Sequence, residues 1–260
     1  DQFTNLFKLD NQDRKILLIL GISAGFASIF GTPFAGAIFA LEVLWVGRFG
    51  LKAILPSILT ALVADQTCTW WKVAHTNYEI SFVPSIQFEF VLWAIVAGMA
   101  FGLTALLFTK TTKFFEHYFK EKISFAPLRP FIGGIFIALA VYLMHTTKYI
   151  GLGIPTIQAA FNTDLPPYDF LLKIIFTAYT LGAGFKGGEV TPLFFIGATL
   201  GNTLSFFIPL PIALLAGMGF VAIFAGATNT PLACTIMGIE LFGVDCGIYV
   251  GIACLTSSRR

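Results

Sequence analysis

Residues 16 to 41 carry no charge and form a run long enough to cross about 30 Å of hydrocarbon, yet Gly31-Thr32-Pro33 lies inside it. Proline lacks an N–H and clashes with the preceding turn of a helix interior, but it suits the first helical position with a threonine before it as cap. The run therefore predicts two half-length helices, 16–30 and 33–46, meeting within a membrane. A third apolar segment, 51–64, is predicted to end in the polar stretch from Asp65 to Pro84. Residues 86–109 form the cleanest span. They lead into a loop where Lys110, Lys113, Lys120 and Lys122 outnumber Glu116 and Glu121, a bias that marks the cytoplasmic side. Spans at 130–147 and 170–182 are separated by GLGIPTIQAAFNTDLPPYD, too rich in Gly and Pro for one regular helix. From Val190 through Ile239 no charged residue occurs. Thr191-Pro192, Pro209, Pro211 and Thr230-Pro231 divide that stretch into several short or tilted helices, and a segment over 231–255 closes the apolar region.

Composition sharpens this reading. Of 260 residues 57% are hydrophobic and 12% charged, whereas soluble domains carry about 25% charged residues, so a soluble enzyme is excluded. Sixteen Lys and Arg against fourteen Asp and Glu leave a net charge of +2, no basic field for a nucleic acid. Twenty-nine Phe and twenty-five Gly suit packed transmembrane helices, in which rings fill volume and glycines let backbones approach. Cys68, Cys234, Cys246 and Cys254 lack the paired spacing of a metal or redox site and read as small hydrophobes. Residues 1–15 mix charges and amides without an apolar signal region, so the chain is expected to begin within a longer protein.

An internal repeat connects the breaks. Residues 32–42 read TPFAGAIFALE and residues 230–240 read TPLACTIMGIE, sharing Thr, Pro, Ala, Ile and Glu at five of eleven aligned positions. Paired interrupted segments in two halves are the mark of inverted-repeat transporters, whose sites lie near the midplane where half-helix N-termini face the permeant ion. The first N–H groups of a helix carry about half a positive charge and, in lipid, need a partner. An anion is one candidate. Three Thr-Pro starts occur, at Thr32, Thr191 and Thr230, and an ordinary self-satisfied cap is the competing reading for each.

The stretch GAGFKGGEVTPLFFIGATLGN, residues 182–202, concentrates the chemistry. Its glycines allow close backbone approach to a small ligand, and Lys186 and Glu189 enter just ahead of a long neutral helix. Mutual neutralisation of the two charges at the membrane surface is the plainer account. Alternatively a carboxyl beside a buried helix start takes up protons or competes with an anion for one positive site. Glu42 and Glu240, closing the two repeats, read first as buried carboxyls paired to backbone and second as proton carriers.

These segments resemble the CLC family of chloride channels and proton-coupled anion exchangers. The family's Gly-x-Phe-x-Pro anion motif is similar to Gly188-Glu189-Val190-Thr191-Pro192, with Val190 where Phe is usual. SIFGTPFAGAIFALE resembles the segment leading from an anion-contacting helix into the dimer interface, and GATNTPLACTIMGIELF resembles its second-half counterpart. Glu-Val-Thr-Pro is similar to the fluoride-exporting branch, which works as fluoride/proton antiporters. Val43 follows Glu42 where exchangers of the chloride type often carry a second acid, and the fluoride branch lacks that acid.

The resemblance implies an all-α polytopic membrane protein with an inverted-topology repeat and broken helices, a single transmembrane domain over 1–260 truncated at both ends. Residues 16–64 are then the end of the first repeat half, and 86–256 the linking helix and second half. It implies a homodimer in a cell membrane, the bacterial inner membrane, that exports fluoride against protons without a cofactor, metal or nucleic acid. Gly188, Val190 and Thr191 are the expected anion contacts and Glu189 the proton-coupling residue. Thr32, Thr230 and Glu42 are secondary candidates. A chloride channel or chloride/proton exchanger of the same fold is the alternative. An intramembrane hydrolase, which would need a nucleophile with a base or a motif such as HExxH, is the rival of another class, and a structural subunit a third. His75, His117 and His145 sit beside no such partner in the sequence.

Overall fold

A computed structural model describes residues 10–44 and 51–258, which are helical and connecting segments without a strand. In chain order the helices are α1 (Asn11–Phe30), α2 (Pro33–Leu44), α3 (Leu51–Trp70), α4 (Phe88–Lys122), α5 (Leu128–Met144), α6 (Ile154–Ala159), α7 (Asp169–Gly182), α8 (Val190–Leu204), α9 (Ile212–Thr228), α10 (Pro231–Phe242) and α11 (Gly247–Ser257). A single 3₁₀ turn, Val244–Cys246, separates the last two.

The predicted breaks at Thr32-Pro33 and Thr230-Pro231 are present, while several helix ends differ from the predicted ones. α1 begins earlier than residue 16 because an Asp10 carboxylate oxygen accepts the Asp13 N–H at 2.8 Å, capping a polar first turn. The predicted end of α2 at 46 falls outside the described residues. α3 runs through Asp65 to Trp70 instead of stopping at 64. Thr60, Thr67 and Thr69 donate to carbonyls one turn back, so the polar stretch stays helical until Lys72 turns into the left-handed region at φ 55°. α4 likewise continues through the lysine-rich segment to Lys122. Glu116 accepts from Lys120 at 2.6 Å, Glu121 pairs with His117 at 3.1 Å, and Phe115 and Phe119 pack edge-on against Tyr179 of α7. Thirty-five residues at 1.5 Å each give about 52 Å, so α4 is long and apolar enough to cross the hydrocarbon and extend well beyond it. The apolar segment 231–255 is two helices, broken at Gly243 with φ 98°.

The internal repeat is structural. α1 ends at Gly31 (φ 66°) and α9 at Asn229 (φ 58°). A Thr-Pro start follows each, then a twelve-residue helix, α2 or α10. α3 then packs on α1 and α2 as α11 packs on α9 and α10. Serines tie both trios: Ser23 donates to the Ser57 carbonyl and Ser57 to the Ala37 carbonyl in the first, and Ser257 donates to the Ala222 carbonyl in the second.

The core lies between α8 and α9. Gly197 and Gly201, one turn apart on α8, meet the Gly219 and Leu215 carbonyls of α9 so closely that a methyl at either would overlap the backbone. Phe194 stacks on Phe220 at 4.0 Å between ring centres, and Phe30 of α1 meets Phe194 at 5.2 Å. Rings from both repeats therefore share one cluster. Gly201→Ala is expected to destabilise the protein by about 1–3 kcal/mol through backbone overlap. Gly21→Ala, on an exposed helical face where a methyl meets nothing within 4 Å, should be neutral or stabilising by about 0.5–1 kcal/mol. Unfolding midpoints in one detergent compare the two.

Candidate functional site

Two of the three Thr-Pro starts are closed by the chain's own acids. Glu240, at the end of α10, accepts the Phe34 N–H at 3.0 Å and the Ala35 N–H at 2.8 Å at the start of α2. Glu42, near the end of α2, accepts the Leu232 and Ala233 N–H groups at 3.3 and 2.9 Å at the start of α10. The two helices lie antiparallel, each holding the other's electropositive tip with a carboxylate. Thr32 and Thr230 precede these starts, but neither hydroxyl caps its helix. Thr32 Oγ1 is buried without a partner among the described residues, and Thr230 Oγ1 meets Thr228 Oγ1 at 2.6 Å. At both starts, beside the secondary candidates Thr32 and Thr230, two carboxylate oxygens already fill the N–H pair. Glu42 sits here as an internal cap.

The third start is different. α8 begins at Val190, one residue before Thr191, so Thr191 is the second helical residue rather than the cap and Glu189 occupies the cap position. The Glu189 carbonyl accepts the Leu193 N–H at 3.1 Å, while among the described residues the Val190 and Thr191 N–H groups have no protein partner. Glu189 and Lys186 are both exposed and form no ion pair with each other. Val190 and Thr191 are half-buried. Gly187 and Gly188 face open space, where a methyl would meet nothing within 4 Å.

That open space continues into a cavity of about 560 Å³ between α5, α7, the 149–152 loop and the approach to α8. Gly188 and Pro192 line it, together with Lys173, Thr177 and Thr180 of α7. None of Thr32, Thr230 and Glu42 does. Lys173 is 1% exposed, and its ammonium donates to the Gly151 carbonyl at 2.7 Å and the Tyr149 carbonyl at 3.2 Å, with the Phe195 ring centre 5.0 Å away. One turn earlier on α7, Asp169 is fully buried. It pairs with Lys148 and accepts from the Tyr149 hydroxyl at 2.6 Å. Sequence reasoning passed over Lys173, although its signal was present: a lone lysine within the apolar run of 170–182.

The family model for the voltage gated chloride channel matches residues 1–259. The chain belongs to that family. A chloride/fluoride channel protein of Pseudomonas syringae pv. tomato is 51% identical over 263 residues, 99% of this chain and 58% of that protein. A voltage-gated ClC-type chloride channel, ClcB, of Escherichia coli is 28% identical over 89% of this chain and 58% of its own length. Among solved structures, a CLC-type fluoride/proton antiporter superposes with a TM-score of 0.90 at 35% identity, covering 93% of this chain and 62% of that one. A slow cyanobacterial Cl⁻/H⁺ antiporter, at 20% identity and a TM-score of 0.78, shares the fold. The chain thus spans about three-fifths of the length of these relatives. Members of the CLC family are membrane channels and transporters, so the intramembrane-hydrolase reading is dropped.

The crossed caps yield a stability prediction. Glu240→Ala leaves two N–H groups unpaired and should cost roughly 2–4 kcal/mol, while Glu240→Gln keeps an acceptor and should cost less than half of that. Denaturant titration in mixed micelles, followed by Trp fluorescence, measures both.

Proposed function

We propose that this chain forms the greater part of a fluoride/proton antiporter that exports fluoride across a bacterial inner membrane as a homodimer. The observation that carries the reading is the open start of α8. Of three Thr-Pro starts it is the one whose first N–H groups are not claimed by an internal carboxylate, and it adjoins a cavity. Fluoride is small and strongly hydrated, so a site that strips its water has to return several hydrogen bonds. The Val190 and Thr191 N–H groups with the Thr191 hydroxyl supply three donors, and Gly188 leaves room for the anion to reach them. Glu189 is the coupling group: its carboxylate competes with fluoride for the same positive tip, and protonation withdraws that competition. The similarity to a CLC-type fluoride/proton antiporter and the lack of an acid at position 43, where Val43 stands, support this assignment.

Chloride conduction is the second reading, favoured by the chloride channel name of the Escherichia coli relative. Proteoliposomes carrying the gene-encoded protein separate the two. Thr191→Ala is expected to slow fluoride efflux at least tenfold, and Glu189→Gln to abolish fluoride-driven proton movement. Chloride flux equal to fluoride flux, with both variants behaving as wild type, overturns the fluoride assignment.

A further inference from the structure

The cavity beside α8 contains more chemistry than the helix start uses. Lys148, Asp169 and Lys173 lie in one cluster, and the Lys148–Asp169 ion pair with the Tyr149 hydroxyl satisfies Asp169. Lys173 forms no ion pair among the described residues, so the cluster keeps one positive charge, buried within a membrane helix. Two backbone carbonyls hold the ammonium in place and leave its charge uncancelled. One turn along the same helix Thr177 is 9% exposed and lines the cavity, and its hydroxyl has no hydrogen-bond partner among the described residues. That oxygen is not sealed in the interior as Thr32 Oγ1 is, so it opens on the cavity and can donate to a ligand there. A fixed charge in low dielectric, an unused donor and a cavity that continues to Gly188 converge on one space.

We propose that the Lys173–Thr177 end of this cavity is a second anion stop, holding a small monovalent anion such as fluoride or chloride by the Lys173 charge and the Thr177 hydroxyl before or after it occupies the α8 start. This rests on the proposed anion-transport reading and adds to it a separate site with its own residues. The ammonium, with its donors turned to Gly151 and Tyr149, attracts through space, and Thr177 contributes the directional hydrogen bond. Two weaker stops in series let an anion enter without being trapped.

Isothermal titration of sodium fluoride into the detergent-solubilised, gene-encoded protein tests the proposal, with sodium chloride as a second probe. Two binding events are expected in the wild type. Thr191→Ala should remove one and leave the other, whereas Lys173→Met and Thr177→Val should remove or weaken the other at least tenfold. Lys173→Arg should restore it to within about threefold. In proteoliposomes the fluoride concentration for half-maximal efflux should rise several-fold in Thr177→Val with the maximal rate nearly kept, a split that loss of the 149–151 loop anchorage alone does not produce. Thr177→Val, nearly isosteric, keeps the test valid should Lys173→Met fail to fold. A single binding event, lost in Thr191→Ala and unchanged in Thr177→Val and Lys173→Met, overturns the second stop while leaving the proposed function standing. Absence of both halide binding and halide flux in the wild type overturns both.

Discussion

Inside a bilayer, the opening N–H groups of a helix have no water to bond, and a chain that breaks its helices in mid-membrane has to find them other partners. The pairing of Glu42 and Glu240 across α2 and α10 meets that demand twice with one geometry. Each carboxylate lies where a helix dipole favours negative charge, so the same contact satisfies hydrogen bonds and electrostatics together. Because the two ends cap each other, neither helix can slide or tilt alone. The broken-helix architecture rests on this reciprocity, and α3 and α11 pack onto the pair from either side.

With two starts closed from within, the third acquires meaning by contrast. α8 has the same Thr-Pro chemistry, but its cap position is held by an exposed glutamate, its approach is glycine, and its flank is a cavity with a buried lysine. Glycines serve opposite ends along this one helix. Gly187 and Gly188 border empty space, whereas Gly197 and Gly201 permit contact with the α9 backbone and hold the helix rigid behind its open tip. A start on a loosely packed helix would not keep the orientation that the proposed halide site requires.

Much of the architecture was readable from residues in order. The Thr-Pro breaks and the repeat between 32–42 and 230–240 could be read in order, because proline geometry acts within a turn. Helix ends were less readable where polar side chains bond back to their own helix. Thr67 and Thr69 extend α3, and Glu116 with Lys120 extends α4, through stretches whose polarity suggested loops. At the site, Gly188, Glu189 and Thr191 stood out through their spacing. Lys173 did not, because a single lysine among apolar residues gives no indication of what it faces.

Primary structure alone settled where the backbone must interrupt itself and that it does so in lipid, since these follow from missing N–H groups, torsional limits and missing charge. It marked the approach to Thr191 by its glycines and charges, but not which of the three Thr-Pro starts would be closed. Folding made them unlike, because their partners lie far away in the chain: the acids that close two of them are 190 and 206 residues distant, and a carboxylate can cap only one helix end at a time. Which tip stayed open, and that a buried ammonium came to share its cavity, depended on how α7, α8 and the 149–152 loop were brought side by side.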